Sequence, residues 1–398
     1  MDLKRENWKY LKLKDVCTII MGQSPPSETY NSVGDGLPFF QGKAEFTDLH
    51  PIAEKWCTAA NKIAEANDIL LSVRAPVGST NIADTKCGIG RGLAALRFEN
   101  FKYGYYFLKS KQQELDSKGT GTTFKAISGD TIKETIIPYP DSVTQEIIVQ
   151  KIEELFSELD KCLELLKTVQ EQEKVFRQSV LNYAFEGRLT NKGIKKGVLP
   201  KDWNIVKLRD VVSILGDGLH GTPKYSENGD YYFINGNNLS NGNIVFKSST
   251  KRVSKEEFVK YKKNLTDRTI LVSINGTLGN VAFYNNEKVI LGKSACYFNL
   301  LNNVDKHYMK LILKGKTFLN YAHETATGST IPNVSLKAMR EFEFPLPPTK
   351  EQEQIVKEVE SRLIVADKII ENVVKSILQI ETLKQSILKK AFDGELTI

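Results

Sequence analysis

An α/β (α+β) tandem duplication is the fold the sequence predicts. Two globular domains are expected, separated by a long antiparallel two-helix coiled coil and related by a pseudo-twofold axis. Three observations predict it. Six sequence blocks recur in one order at a lag of about two hundred residues. In each copy, short β-branched runs with glycine turns give way to a long segment with a heptad seam. Proline clusters divide the two textures both times.

The blocks establish the duplication in order. "WKYLKLKDV" at Trp8 returns as "WNIVKLRDV" at Trp203, and "FFQGK" at Phe39 as "FINGN" at Phe233. "ILLSVRAPVGS" at Ile69 returns as "ILVSINGTLGN" at Ile270, and "GTTFKAIS" at Gly121 as "GSTIPNVS" at Gly328. "IPYP" at Ile137 becomes "FPLP" at Phe344, and "QSVLNYAFEGRLT" at Gln178 becomes "QSILKKAFDGELT" at Gln385. The expected boundaries are 1–142 for the first globular domain, 143–190 for its helix, 191–202 for a linker, 203–348 for the second domain and 349–398 for the second helix. "DILLSVRA" and "TILVSING" read as buried strands, and Asn235–Asn243 as loop. Trp8 and Trp203 open both copies identically and read as core.

The first helical segment carries its seam at Ile148, Ile152, Leu155, Leu159, Cys162, Leu166, Val169, Glu173, Phe176, Val180 and Ala184. The second runs Ile355, Val359, Leu363, Ala366, Ile370, Val373, Ile377, Ile380, Leu383, Ile387 and Ala391. Steps of three and four over some forty residues make a narrow stripe that needs a partner helix. Each rod is roughly 60 Å long at 1.5 Å per residue. Gly187 and Gly394 read as stop signals, and Phe185 and Phe392 as caps of the coiled coil or contacts to a globular domain.

Composition narrows the function. The chain has 398 residues and a net charge of +7, with a pI near 8.9, which leans toward a polyanionic partner. Five scattered cysteines and four histidines show neither CxxC pairing nor metal-ligand spacing. No apolar run is long enough for a membrane span and no signal-peptide core opens the chain, so a cytoplasmic protein is expected. "GQSPPSETY" at Gly22 contains Ser-Pro-Pro, as the catalytic motif of DNA amino-methyltransferases does, but Ser27 replaces the aromatic that would stack on the base. Its counterpart is "GDGLHGTPKY" at Gly216, so Pro25 and Pro26 read as stiffening a loop, with Tyr30 matching Tyr225. "GIGRG" at Gly88 lacks a following helix start, and no GxxxxGK[ST] loop occurs. No catalytic residue, metal site or bound cofactor is expected of this chain.

A duplicated basic chain with a rigid spacer suits duplex DNA, whose grooves recur on one face once per turn, about 34–36 Å. The chain resembles the specificity subunit of type I restriction-modification systems. The resemblance rests on the "W…L.DV" domain starts, "DGLHGTPKY", "FPLPPTKEQEQIV" at Phe344, and the twin "QS(V/I)L..AF(E/D)G.LT" endings, and it spans the whole chain. It implies a prokaryotic, non-catalytic subunit whose two target-recognition domains each read half of a bipartite DNA sequence. The rod would set the spacer and dock methyltransferase subunits, two of them, for adenine-N6 methylation or restriction. It leaves restriction (motor) subunits open, and it places S-adenosylmethionine, ATP and Mg on the partners. A structural coiled-coil adaptor and a single-chain restriction enzyme are the competing readings.

Base reading requires directional donors and acceptors. In the first domain the candidates are Gln23, Ser24, Tyr30, Gln41, Lys43, Arg74, Arg91 and Lys125. In the second they are His220, Thr222, Lys224, Tyr225, Asn235, Asn237, Asn238, Asn275, Lys293 and Asn333. The asparagines of the Asn235 loop could instead satisfy turn backbone, Arg74 could form an internal ion pair, and Lys125 and Lys293 suit phosphate better than bases. Asp217 could orient its loop. Gln145, Glu146, Gln352 and Glu353, at equivalent helix starts, are candidates for subunit docking.

Overall fold

The computed structural model describes residues 8–121, 125–328 and 330–396. Thr122–Phe124 and Ser329 of the Gly121 and Gly328 blocks, and Thr397 of the closing block, lie outside the described residues. Two compact units divide the chain, Met1–Lys167 with Val374–Ile398, and Thr168–Val373. Each division falls inside a long helix, so each unit holds one globular domain and a segment of both helices.

The first unit is built on a four-stranded antiparallel sheet in the order Cys17–Met21, Leu93–Phe98, Ile69–Ser72, Thr80–Ile82. All four residues of Ile69–Ser72 are buried, as expected of a central strand covered on both faces. A second sheet contains one parallel pair, Leu37–Phe40 with Cys87–Ile89, and a ribbon pairs Lys9–Lys12 with Ile136–Tyr139. The second unit repeats the plan. Its four-stranded sheet runs Val212–Asp217, Ala295–Leu300, Thr269–Ser273, Val281–Phe283. Its parallel pair is Tyr231–Ile234 with Val289–Leu291, and its ribbon is Asn204–Lys207 with Glu343–Leu346. Trp8 and Trp203 are buried in the two cores, as their repetition suggested.

The long helices are Ser142–Phe185 and Thr349–Phe392, each of 44 residues. Gly187 (φ +72°) and Gly394 (φ +69°) follow their ends in the left-handed conformation that glycine adopts without penalty. In the first unit Lys384 pairs with Asp160, and in the second Arg177 pairs with Asp367. Each pair ties a segment of one long helix to a segment of the other within its own unit. Arg177 also pairs with Glu173, which interrupts the apolar seam. A polar group at such a position fixes register at some cost in stability.

Three seam positions differ from the sequence reading. Cys162 is exposed, Phe176 is 44% exposed and Leu383 is 48% exposed. Their neighbours Leu163, Arg177 and Lys384 turn inward instead. The Lys384 stem lies against Phe156, its ammonium 5.1 Å from the ring centroid. A long cationic side chain can occupy an apolar seam because its methylenes pack while its head reaches a carboxylate. Counting apolar residues alone therefore shifts the stripe by one.

Each domain core is closed by a helix end from the other repeat. Phe392 packs edge-on to Tyr103 and Phe107, with centroids 5.2 and 5.4 Å away. Phe185 packs edge-on to Tyr308 at 6.3 Å. Tyr103 and Tyr308 hold equivalent helices, and each donates its hydroxyl to a carbonyl of the proline-bearing strand, Pro138 at 2.6 Å and Pro345 at 2.7 Å. Phe392→Ala should cost about 3–5 kcal/mol by cavity formation, whereas Leu383→Ala should cost under about 0.5 kcal/mol. Urea denaturation followed by circular dichroism measures both, and equal losses would contradict the seam described.

Candidate nucleic-acid interface

In the first unit four chain segments meet at one end of the sheets. The Gly22 loop is joined to the "GIGRG" loop by backbone bonds, Gly22 N–H to the Leu93 carbonyl at 2.9 Å and Gln23 N–H to the Ile89 carbonyl at 3.0 Å. A side chain at Gly22 would place its Cβ 2.1 Å from the Gly90 carbonyl oxygen, so only glycine permits this approach. Gly90 N–H in turn donates to Phe40 at 2.8 Å, bringing in the Gln41 loop. Val73 and Ala75 exchange backbone bonds with Ile127 and Lys125 on either side of Arg74. "GIGRG" is thus a loop-packing element leading into the strand Leu93–Phe98.

Ser24, Tyr30, Gln41, Arg74 and Arg91 line one open cavity of about 490 Å³ together with Pro25, Ser27 and Gly92. Five of the eight residues picked out in this domain therefore converge. Tyr30 stacks on Phe39 at 4.9 Å and donates its hydroxyl to the Pro25 carbonyl at 2.8 Å. That bond explains Ser-Pro-Pro, because the prolines set a loop that the tyrosine clamps. Ser24 Oγ accepts from Arg91 N–H at 3.2 Å. Arg74 and Arg91 are exposed and form no ion pair with the described residues, so the internal pairing considered for Arg74 is not formed. Gln23 and Lys43 are exposed beside the cavity loops without lining it. Lys125 lies apart from that group. It pairs with Asp116 at 2.5 Å and holds that carboxyl below the usual carboxylate range by a charged hydrogen bond, and it does not line the cavity.

The second unit uses the same joints with different side chains. Gly218 takes the place of Gly22, its would-be Cβ 2.1 Å from the Leu291 carbonyl. Leu219 N–H donates to that carbonyl at 2.6 Å, and Gly292 N–H to Ile234 at 2.8 Å. Tyr225 tilts on Phe233 at 6.3 Å as Tyr30 stacks on Phe39. Lys293 stands where Arg91 does, exposed and without an ion pair among the described residues. Asn275 takes the place of Arg74 and donates to Asn333 Oδ1 at 3.1 Å, so these two asparagines form one unit. His220 Nε2 lies 2.6 Å from Asp217, whose carboxylate thereby orients the loop. Thr222, Lys224 and Asn237 are exposed.

The Asn235 loop divides between the two roles foreseen for it. Asn238 is 5% exposed and is fully engaged. It accepts from Asn235 N–H at 3.0 Å and donates to Val245 and Thr250 at 3.0 and 3.1 Å. It holds the turn and cannot reach a ligand. Asn235 accepts from Ser294 at 3.0 Å and is half-buried. Ser294 also accepts from Gly236 N–H at 2.9 Å, a bracing role that gave no signal in the sequence.

The docking candidates need a similar correction. Gln145 and Gln352 are buried, and each donates to a proline carbonyl five residues back, Pro140 at 3.0 Å and Pro347 at 2.8 Å. Gln352 also donates to Asn303 and accepts from Asp305 N–H at 2.7 Å. These repeated glutamines latch the helix starts to the domains and leave no surface for a partner. Glu146 and Glu353 are exposed. Among the described residues no group of side chains could hold a metal ion and no helix is long and apolar enough to cross a membrane. Burial pushes the Cys17 and Cys87 thiols up to about 12, away from the range of a thiolate nucleophile.

The family model of the type I restriction modification DNA specificity domain matches residues 5–172 and 200–379, once per repeat. The StySPI specificity subunit of Salmonella potsdam is 27% identical over 98% of this chain and 90% of its own length. The EcoKI specificity subunit of Escherichia coli K12 is 25% identical over 98% and 90%. A putative MjaX specificity subunit of Methanocaldococcus jannaschii is 35% identical over 47% of this chain and 44% of that one. Among solved structures, a chain from a study of assembly and conformational transition in a type I R-M system superposes with a TM-score of 0.75. It is 18% identical and covers 98% of this chain and 99% of itself. The HsdS subunit of Thermoanaerobacter tengcongensis superposes at 0.58, also at 18% identity, over 98% of each chain.

Removing the Gln352 side chain orphans buried backbone groups, so Gln352→Ala should destabilise by about 1–3 kcal/mol. Asn238→Ala should do the same, while Glu353→Ala and Asn237→Ala stay within about 0.5 kcal/mol. Differential scanning calorimetry distinguishes these, and a neutral Gln352→Ala would return that residue to the surface.

Proposed function

The chain belongs to the type I restriction-modification DNA specificity family, and on that premise we propose that its two domains each read one half of a bipartite duplex target through the loops described above. Members of this family select DNA and carry no catalytic site. The observation that carries the proposal is the repeated joint. The same backbone bonds hold the same four loops in both domains, while the side chains they present differ at almost every candidate position.

In the first domain Arg74, Arg91 and Gln41 converge on the cavity, their side-chain donors without a partner among the described residues. Arginine matches the O6 and N7 acceptors of guanine in the major groove, and glutamine the edge of adenine. In the second domain the Asn275–Asn333 pair, Asn235 and His220 offer a different set, and Lys293 and Lys224 suit phosphate. The long helices then fix the unread gap. Two methyltransferase subunits dock on their outward faces, Glu146 and Glu353 among the contacts, and bring S-adenosylmethionine for adenine-N6 methylation. Restriction would add ATP- and Mg-dependent motor subunits. The complex works in the prokaryotic cytoplasm.

Arg74→Ala and Arg91→Ala should each weaken binding to the cognate duplex by about 1–3 kcal/mol, roughly five- to 150-fold. Each should relax sequence preference in one half-site only. Competition binding by the methyltransferase complex against duplexes varied base by base checks this, and unchanged preference in both half-sites would overturn the assignment. Deleting one heptad from both long helices removes about 10 Å of rise, the length of about three base pairs. The spacer should change while both half-sites stay the same, and an unaltered spacer would sink the ruler.

A further inference from the structure

We propose that the second recognition domain carries a sequence-independent phosphate clamp, formed by Lys251 and Lys288 over Tyr225 and Tyr231, that grips duplex DNA flanking its half-site. The inference rests on the DNA-reading role above and adds a surface that the reading did not include.

The strand Lys251–Val253 pairs antiparallel with Tyr231–Ile234, which puts Lys251 opposite Phe233 and Arg252 opposite Tyr232. Opposed residues share a face and neighbours alternate, so Lys251 lies on the Phe233 and Tyr231 side and Arg252 on the other. The ring contacts agree. Lys251 Nζ lies 5.9 Å from the Tyr225 centroid and Lys288 Nζ 5.7 Å from the Tyr231 centroid. Arg252 lies over Tyr232, which packs on Phe246. Resting an ammonium on an aromatic face holds it in place without neutralising it. Lys251 and Lys288 are exposed and form no ion pair with the described residues.

The face is continuous with the recognition loop. Tyr225 belongs to both, is 49% exposed, and forms a backbone bridge with Val253. Ser226 N–H donates to Arg252 at 2.9 Å, and Lys224 N–H donates to Glu257 at 3.1 Å. Loop and strand are therefore one piece.

The first domain shows what is particular here. The equivalent of Lys288 is Lys86, which is spent on Glu65 at 3.0 Å, and the equivalent of Tyr231 is Leu37. Between Ala44 and Asn67 two cations face four carboxylates, whereas between Asn238 and Asp267 seven cations face three. An exposed, ring-held pair of ammonium groups in a positive surround fits a phosphate backbone. An ammonium is a compact point charge without the planar fork that matches a base edge, so the two lysines suit phosphate oxygens.

The test is salt-dependent binding by the full chain with its methyltransferase subunit, using a duplex that carries its methylation motif and a scrambled one. Each phosphate contact adds about 0.9 to the slope of log K against log salt. Lys251→Gln with Lys288→Gln should lower that slope by about two and weaken both duplexes alike, with the methylated motif unchanged. Arg252→Gln, on the opposite face, should leave the slope as it is. The clamp is overturned by an unchanged slope in the double variant, by an equal fall per charge in Arg252→Gln, or by lost association with the methyltransferase in size-exclusion chromatography. If Arg74→Ala and Arg91→Ala leave binding intact while the double variant still lowers the slope, the base-reading surface fails and the clamp stands.

Discussion

Each recognition domain depends on a helix end that the other repeat supplies. A 44-residue helix with a narrow apolar stripe is not stable alone in water, and its stability must come from packing. Near its end, each helix swaps its helical partner for a domain core, through Val180, Leu181 and Ala184 in one case and Ile387, Leu388 and Ala391 in the other. Phe185 and Phe392 finish these contacts against aromatic side chains. The cost of ordering a long helix is thus offset by closing a core that would otherwise be open. Neither domain has a complete interior without its exchanged helix end.

That anchoring separates what holds the domain from what touches DNA. The four-stranded sheets, the ribbon and the helix end carry the stability in both units. The Gly22 and Gly218 loops are held by main-chain bonds, which do not constrain the side chains they present. Arg74 and Asn275 occupy one backbone position with different side-chain arrangements, the first unpaired among the described residues and the second tied to Asn333. A scaffold of this kind lets each half diverge toward a different sequence without refolding, because loops positioned by a rigid frame carry the function.

The sequence made the duplication, the strand blocks, both helices and their glycine stops legible, because those depend on periodicity and local backbone preference. It also brought Ser24, Tyr30, Gln41, Arg74 and Arg91 together, since they flank matched strand blocks whose pairing sets where the loops emerge. Its failures share a cause. Gln145, Gln352 and Asn238 are polar residues that satisfy buried backbone groups, and a polar side chain at a helix start or turn looks the same from sequence whether it points in or out. The seam places of Lys384 and Arg177 leave no trace in apolar periodicity, because packing of a charged stem has no hydropathy signature. Lys251 and Lys288 became visible only when the register placed them over rings on one face.

The most direct test of a two-domain reader is methylome sequencing in a host that lacks adenine methylation. The host would express this chain with its methyltransferase subunit, with residues 203–348 native or exchanged for those of a relative. The account predicts a bipartite N6-methyladenine motif in which one half changes with the exchange while the other half and the spacer persist. Methylation whose two halves change together, or a motif indifferent to the exchange, would contradict it.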